Sequence, residues 1–129
     1  NTSHNKNVDV VYGDIYNRKI INKALKGVNT IIHLAGVING QTPSIYRKVN
    51  IEGTRILIEE AEKNKVKRFI FISSDDVVYA EDTLYGKSKK EAEDVVRKSS
   101  LNWTILRPSV IYGKGDKRNI GKIVDYIRK

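Results

Sequence analysis

A single α/β domain built on a parallel sheet is the fold class that this sequence predicts, and three observations predict it. Short β-branched or aromatic runs alternate with stretches whose apolar residues recur at helical spacing, the signature of βαβ units. The run Arg68 to Ser73 is apolar through Phe69, Ile70, Phe71 and Ile72, as suits a parallel strand covered on both faces. Gly, Pro, Asn and Asp punctuate the joins, and no linker or internal repeat interrupts the 129 residues, a length that holds one core.

Val8 to Tyr12 is a β-branched run that empties into Gly13-Asp14, and it is expected to be the first strand. Arg18 to Leu25 carries Ile20, Ile21, Ala24 and Leu25 on one helical face and stops at Gly27. Thr30 to Leu34 is the next strand, and Asn39 to Pro43 a loop. Ile51 to Ala61 places Ile51, Leu57, Ile58 and Ala61 on an apolar stripe and predicts a long helix. After the Arg68 strand, Ser88 to Lys98 repeats the helical pattern through Ala92, Val95 and Val96. Thr104 to Leu106 is a strand stopped at Arg107-Pro108, and Ile120 to Ile127 a final short helix.

Composition narrows the functional classes. The chain has no cysteine, which excludes a disulfide scaffold, a thiolate nucleophile and a thiolate metal site. No run is long and apolar enough to cross a membrane, so a cytoplasmic location is the default expectation. The formal charge of +9 arises from 24 Lys and Arg against 15 Asp and Glu. Its distribution weighs against nucleic acid: Lys87, Lys89 and Lys90 are followed by Glu91, Glu93 and Asp94, a mixed run that reads as a solvated helix face. His4 and His33 have no second histidine or carboxylate cluster at ligand spacing, so no metal is expected.

Tyr85 and Lys89 stand four residues apart where the second long helix begins, and can face the same way. A lysine ammonium there would favour the tyrosinate by Coulomb attraction and move the phenol from its ordinary pKa near 10 toward the range of a general base. Such a group suits proton transfer at a hydroxyl whose carbon gives or takes a hydride. With seven tyrosines and many lysines, Tyr-x-x-x-Lys alone says little. The pair does come after a strand ending at Ser73-Ser74, and parallel sheets place ligands at the carboxyl ends of their strands. A serine hydroxyl there could hold the substrate oxygen, or could simply satisfy backbone groups with Asp75 capping the next turn.

The motifs taken together resemble the extended short-chain dehydrogenases, the nicotinamide-dependent epimerases and dehydratases of nucleotide sugars. They are Gly13-Asp14-Ile15, His33-Leu34-Ala35-Gly36, Val49-Asn50-Ile51-Glu52-Gly53-Thr54, Phe71-Ile72-Ser73-Ser74, Val78-Tyr79, Tyr85-Gly86-Lys87-Ser88-Lys89, Ile105-Leu106-Arg107-Pro108 and Ile111-Tyr112-Gly113-Lys114-Gly115-Asp116. Each is weak alone; in this order over one chain they are specific. The resemblance implies a Rossmann-like parallel sheet and NAD or NADP as cofactor. It implies that Tyr85 is the acid/base, with Lys89 as its partner and ribose contact, and that Ser74 is the substrate-facing hydroxyl. Asp14 and Ile15 would border the adenine, with Leu34, Ala35 and Gly36 beside the cofactor. Asn50 would brace the site, while Pro108, Ser109 and Val110 would approach the nicotinamide. For Asn50 a helix cap is the plainer alternative, and Gly53 is expected to permit close helix packing.

The family's active-site Ser or Thr lies four residues before the tyrosine of its Val-Tyr-Gly motif, which counted from Tyr79 is Asp75. A one-residue insertion at Val77-Val78 brings Ser74 into register instead, and is preferred because a carboxylate beside a forming tyrosinate opposes it. Only five residues separate Tyr79 from Tyr85, shorter than the family's usual substrate-facing loop. The family's Gly-x-x-Gly-x-x-Gly turn does not occur, so the sheet is expected to lack its first two strands and the chain to be a partial domain, inactive alone, with most of the substrate domain elsewhere. In the order 3-2-1-4-5-6 those strands would separate Val8 to Tyr12 from Thr30 to Leu34. The expected partner is a nucleotide sugar or other small substrate, with a homodimer through the helices beginning near Ile51 and Ser88. The functions in contention are tyrosine-assisted epimerisation or dehydration with hydride transfer, and an NAD(P)-sensing module without turnover.

Overall fold

A computed structural model describes residues 8–40, 42–79, 83–113 and 126–127, and in it three parallel strands carry four α-helices. Strand β1 (Thr30–His33) pairs with β2 (Arg68–Ile72), and β2 with β3 (Asn102–Leu106), in the order β1-β2-β3. The register sets Ile31 beside Phe69 and Phe71 beside Ile105. A consecutive parallel order of this kind occurs within each half of a doubly wound sheet.

Helix α1 (Arg18–Ala24) starts at Asn17, whose side chain accepts from the amides of Lys19 and Ile20 at 3.2 and 3.4 Å. Its exit passes Gly27 at φ +76°, the left-handed region that glycine enters without cost. The segment from Pro43 onward is one continuous helical rod: α2 (Pro43–Tyr46) with proline in its first turn, a π-helical stretch at Arg47–Glu52, then α3 (Gly53–Lys63). The long helix therefore begins well before Ile51. Helix α4 (Leu84–Arg97) also starts earlier than periodicity implies, because Thr83 Oγ1 accepts from the Gly86 amide at 2.9 Å and fixes the first turn there. That turn carries Tyr85.

The core gathers on one face of the sheet. Ile31, Phe69 and Phe71 point into a cluster with Leu57, Ile58 and Ala61 of α3, Ala92 and Val96 of α4, and Leu25. Burying such side chains contributes roughly 1.5–3 kcal/mol each for the larger ones. On the other face Ile32 is 59% exposed, and Ile70 and Ile72 are half-buried. The expectation that Arg68 to Ser73 is covered on both faces is therefore corrected: its burial alternates, because among the described residues the cluster covers one side only.

Val8 to Tyr12 is not a strand, contrary to the expectation from its composition. Val8, Val10, Val11 and Tyr12 are exposed, Tyr12 at 81%. A strand exists by pairing, and β1 pairs only with β2 among the described residues, so β-propensity has no ladder to act through. Gly53 does allow close packing: a Cβ there would lie 2.5 Å from Ile15 Cγ2. The expected helix Ile120 to Ile127 lies outside the described residues except for Tyr126 and Ile127, which are helical.

Candidate active site

The carboxyl ends of the three strands open into a cleft of about 530 Å³, walled by Leu34 and Gly36 after β1, Ile72, Ser73 and Ser74 at the end of β2, Asp76, Tyr85 and Lys89, and Pro108 and Ser109 after β3. Its floor is sewn together past the strands by Ser73 N–H donating to Leu106 O at 2.7 Å and Asp75 N–H to Pro108 O at 3.2 Å. This is where a parallel sheet leaves strand-end backbone groups and side chains converging on a ligand. A second groove, about 370 Å³, lies between α3 and α4 and is walled by Ile51, Arg55, Glu62, Asp94 and neighbours. None of the residues at the carboxyl ends of the strands lines it.

Lys89 is 4% exposed, with Nζ donating to Ile72 O at 2.7 Å and standing 4.1 Å over the Phe71 ring. Burial lowers its pKa to about 8, and Glu93 opposes the fall. The phenol of Tyr85 is raised above its ordinary value, first by burial, with its hydrogen bond to Ser74 pulling down and Asp76 and Asp75 pushing up. In this structure the Lys89 ammonium is committed to the Ile72 carbonyl across the strand end, and the phenol is raised, chiefly by burial, rather than lowered. Ser74 Oγ lies 3.1 Å from Asp76 Oδ2 and accepts from the Asp76 amide at 3.3 Å. It thereby starts the 3₁₀ turn Asp75–Tyr79, the capping place expected of Asp75.

Asn50 sits in the π-helical stretch and is buried, not a helix cap. Its Oδ1 accepts from Val37 N–H at 2.8 Å, while Nδ2 donates to Val37 O at 3.0 Å and to Ser88 Oγ at 2.9 Å. Ser88 Oγ in turn donates to Tyr85 O at 2.8 Å. One amide thus fixes the loop after β1 to the helical turn that presents Tyr85. Tyr46, one turn earlier, holds the same loop by donating to Ile38 O at 2.6 Å and accepting from Gly40 N–H at 3.0 Å. Sequence reasoning passes over Tyr46, whose only signal is its spacing of four from Asn50.

The remaining expected cofactor neighbours divide. Leu34, Gly36, Pro108 and Ser109 line the cleft; Ala35 and Val110 are exposed beside it. Asp14 is exposed and Ile15 packs on Gly53 of α3, so neither is brought to the cleft wall in this structure. His33 is packed between Phe69 and Phe71, bonds Thr54 Oγ1 at 2.9 Å, and is held neutral by burial and by Lys89, its pKa lowered to about 3. Glu93 and Arg107, also passed over, form a two-point pair beneath the site at 2.8 and 2.6 Å. Among the described residues no group of acidic, His or Cys side chains could hold a metal.

The cleft combines apolar walls with a few convergent polar groups, the chemistry of a small-molecule or cofactor site. Its apolar walls flank a buried ammonium and the hydroxyls of Ser73, Ser74, Tyr85 and Ser109, of which that of Ser73, a residue only 5% exposed, has no hydrogen-bond partner among the described residues. A family model described as NAD(P)H-binding matches residues 1–125. The chain is 36% identical over 116 residues to a ceramide reductase of Caulobacter vibrioides, covering 88% of this chain and 36% of that protein. It is 33% identical over 135 residues to the N-acetyl-alpha-D-glucosaminyl-diphospho-ditrans,octacis-undecaprenol 4-epimerase of Escherichia coli O157:H7, covering 89% and 41% respectively. This chain therefore spans about two-fifths of those relatives' length. A dTDP-glucose 4,6-dehydratase of Streptomyces venezuelae, solved with NAD, superposes with a TM-score of 0.83 at 23% identity, over 98% of this chain and 47% of that one.

Proposed function

This chain belongs to the NAD(P)H-binding family, and from that membership we propose that it is the cofactor-side portion of an NAD(P)-dependent epimerase or dehydratase acting on a nucleotide sugar. One observation carries the reading: Tyr85, Lys89 and Ser74 meet in the cleft at the carboxyl ends of the parallel strands. The kinship to a 4-epimerase supports this class of chemistry, while the ceramide reductase shows that sequence kinship by itself does not select the substrate.

When bound, the nicotinamide supplies the hydride acceptor and donor. Leu34, Gly36, Pro108 and Ser109 would flank it and exclude water. Ser74 holds the substrate oxygen, and Tyr85 moves the proton at its own Oη. A neutral Tyr85, as burial and the nearby carboxylates favour, is the proton donor needed in the reducing direction. In the oxidising direction Lys89 stabilises the tyrosinate once its ammonium turns from Ile72 O. Self-association would use the groove between α3 and α4.

The short segment between Tyr79 and Tyr85 favours a second reading, an NAD(P) sensor without turnover. Paired substitutions in the full protein discriminate. Ser74→Ala is expected to reduce turnover at least about 10-fold more than Asp75→Ala, since only the serine can hold the substrate oxygen without opposing the tyrosinate. A larger loss from Asp75→Ala would reassign the position and shift weight to the sensor.

A further inference from the structure

Glu93 is the most buried acidic side chain near the cleft, and proton transfer by Tyr85 gives it no task. It is 2% exposed, lies one turn after Lys89 on α4, and is gripped from the outside by two arginines. Arg107 Nε donates to Oε1 at 2.8 Å and Nη2 to Oε2 at 2.6 Å, while Arg97 Nη2 reaches Oε2 at 3.1 Å. Arg107 is also the residue before the Pro108-Ser109 wall of the cleft.

Lys89 meanwhile has an incomplete set of partners for a buried cation. Ile72 O takes one of its three donors, and the Phe71 ring offers a weak electrostatic face. From β1 it faces His33, which is neutral; from the 3₁₀ turn, Asp76; from its own helix, Tyr85, also neutral, and Glu93. Asp76 is exposed to solvent and screened, so the buried carboxylate on the same helix face as Lys89, four residues along α4, is that of Glu93.

We propose that Glu93 is a positioning residue of the site: it supplies the buried counter-charge for Lys89 and, through Arg107, ties α4 to the strand end that carries the cleft wall. The proposal rests on the assignment of Lys89 to the proton-transfer pair. The two jobs are linked. The arginines keep Glu93 ionised, since burial works to raise its pKa and the hydrogen bonds from Arg107 and Arg97 outweigh that and hold it at about 2. An ionised Glu93 then limits the fall of Lys89, which burial alone would take further than about 8.

The test is an NMR titration of the Lys89 side chain in the full protein, which needs neither cofactor nor substrate. In Glu93→Gln the Lys89 midpoint is expected to fall by about one unit, the scale of losing a near opposite charge. Arg107→Lys, which keeps the carboxylate, should move it much less. Should Glu93→Gln fail to fold, Glu93→Asp retains charge one methylene farther away and should give a smaller fall. A salt bridge that only braced the fold would lower stability and leave Lys89 unmoved, and an unmoved midpoint in the folded variants overturns the proposal. The alkaline limb of turnover should shift to lower pH by the same amount. If Tyr85→Phe turned over normally while Lys89 still responded to Glu93, the catalytic assignment would fail and the coupling would stand.

Discussion

Turnover of the full protein with cofactor and substrate is expected to fall by about 10²-fold or more in Tyr85→Phe, the usual scale for removing a general acid or base. The phenol is half-buried in the cleft with Ser74 and Lys89, and losing one oxygen leaves its packing in place. Melting temperature should therefore change little while kcat drops. Because burial, and after it the nearby carboxylates, raise the phenol's pKa, the loss should be at least as large for carbonyl reduction, where a protonated tyrosine is required, as for hydroxyl oxidation. Turnover equal to the parent's would remove Tyr85 from the chemistry.

A pronounced loss of stability on acidification is the second expectation. His33 titrates at about 3 in the folded protein against its ordinary 6.5, because burial and then Lys89 disfavour its charge. Above pH 6.5 it is neutral folded or unfolded. As pH falls from 6.5 toward 3, only the unfolded chain takes up the proton and stability is lost, by on the order of 5 kcal/mol at most. Glu93 adds to this below its ordinary 4.5: its charge stabilises the fold above that value, and the contribution disappears as pH falls toward about 2. Denaturant midpoints measured from pH 7.5 to pH 4 should decline from about pH 6.5 and more steeply below about 4.5. His33→Gln should flatten the upper part of the curve. Midpoints constant to pH 4 would mean that the imidazole is not held neutral by the core.

Much of this fold is legible because it is local or periodic. Phe69 to Ile72 announces a strand by an apolar run, and the stripes through Leu57, Ile58 and Ala61 and through Ala92 and Val96 announce the helices that cover it. The convergence of Ser74, Tyr85 and Lys89 is expected of a parallel sheet, which puts successive strand ends at one edge. Features that cannot be read depend on partners distant in sequence. Val8 to Tyr12 has the composition of a strand, but composition does not supply the neighbour that would make it one. The Glu93–Arg107 pair spans 14 residues and the Lys89–Ile72 bond 17, with no periodic signature for either. The direction of the Tyr85 shift is illegible for the same reason. Four-residue spacing says that Lys89 can face Tyr85, and not that its ammonium is already committed to a backbone carbonyl. The π-helical stretch, which turns Asn50 inward, leaves no mark in the hydrophobic pattern; such insertions recur at functional sites.

Mixing the full protein with NAD(P) and a panel of nucleotide sugars, and watching the nicotinamide spectroscopically through a single turnover, separates an enzyme from a sensor. One nucleotide sugar is expected to reduce the bound cofactor in the parent protein, and Tyr85→Phe to bind the same cofactor and sugar but slow the reduction by about 10²-fold or more. Tight binding of NAD(P) with no change in its oxidation state for any sugar, and no epimerised or dehydrated product, would contradict turnover at Tyr85 in favour of a sensor.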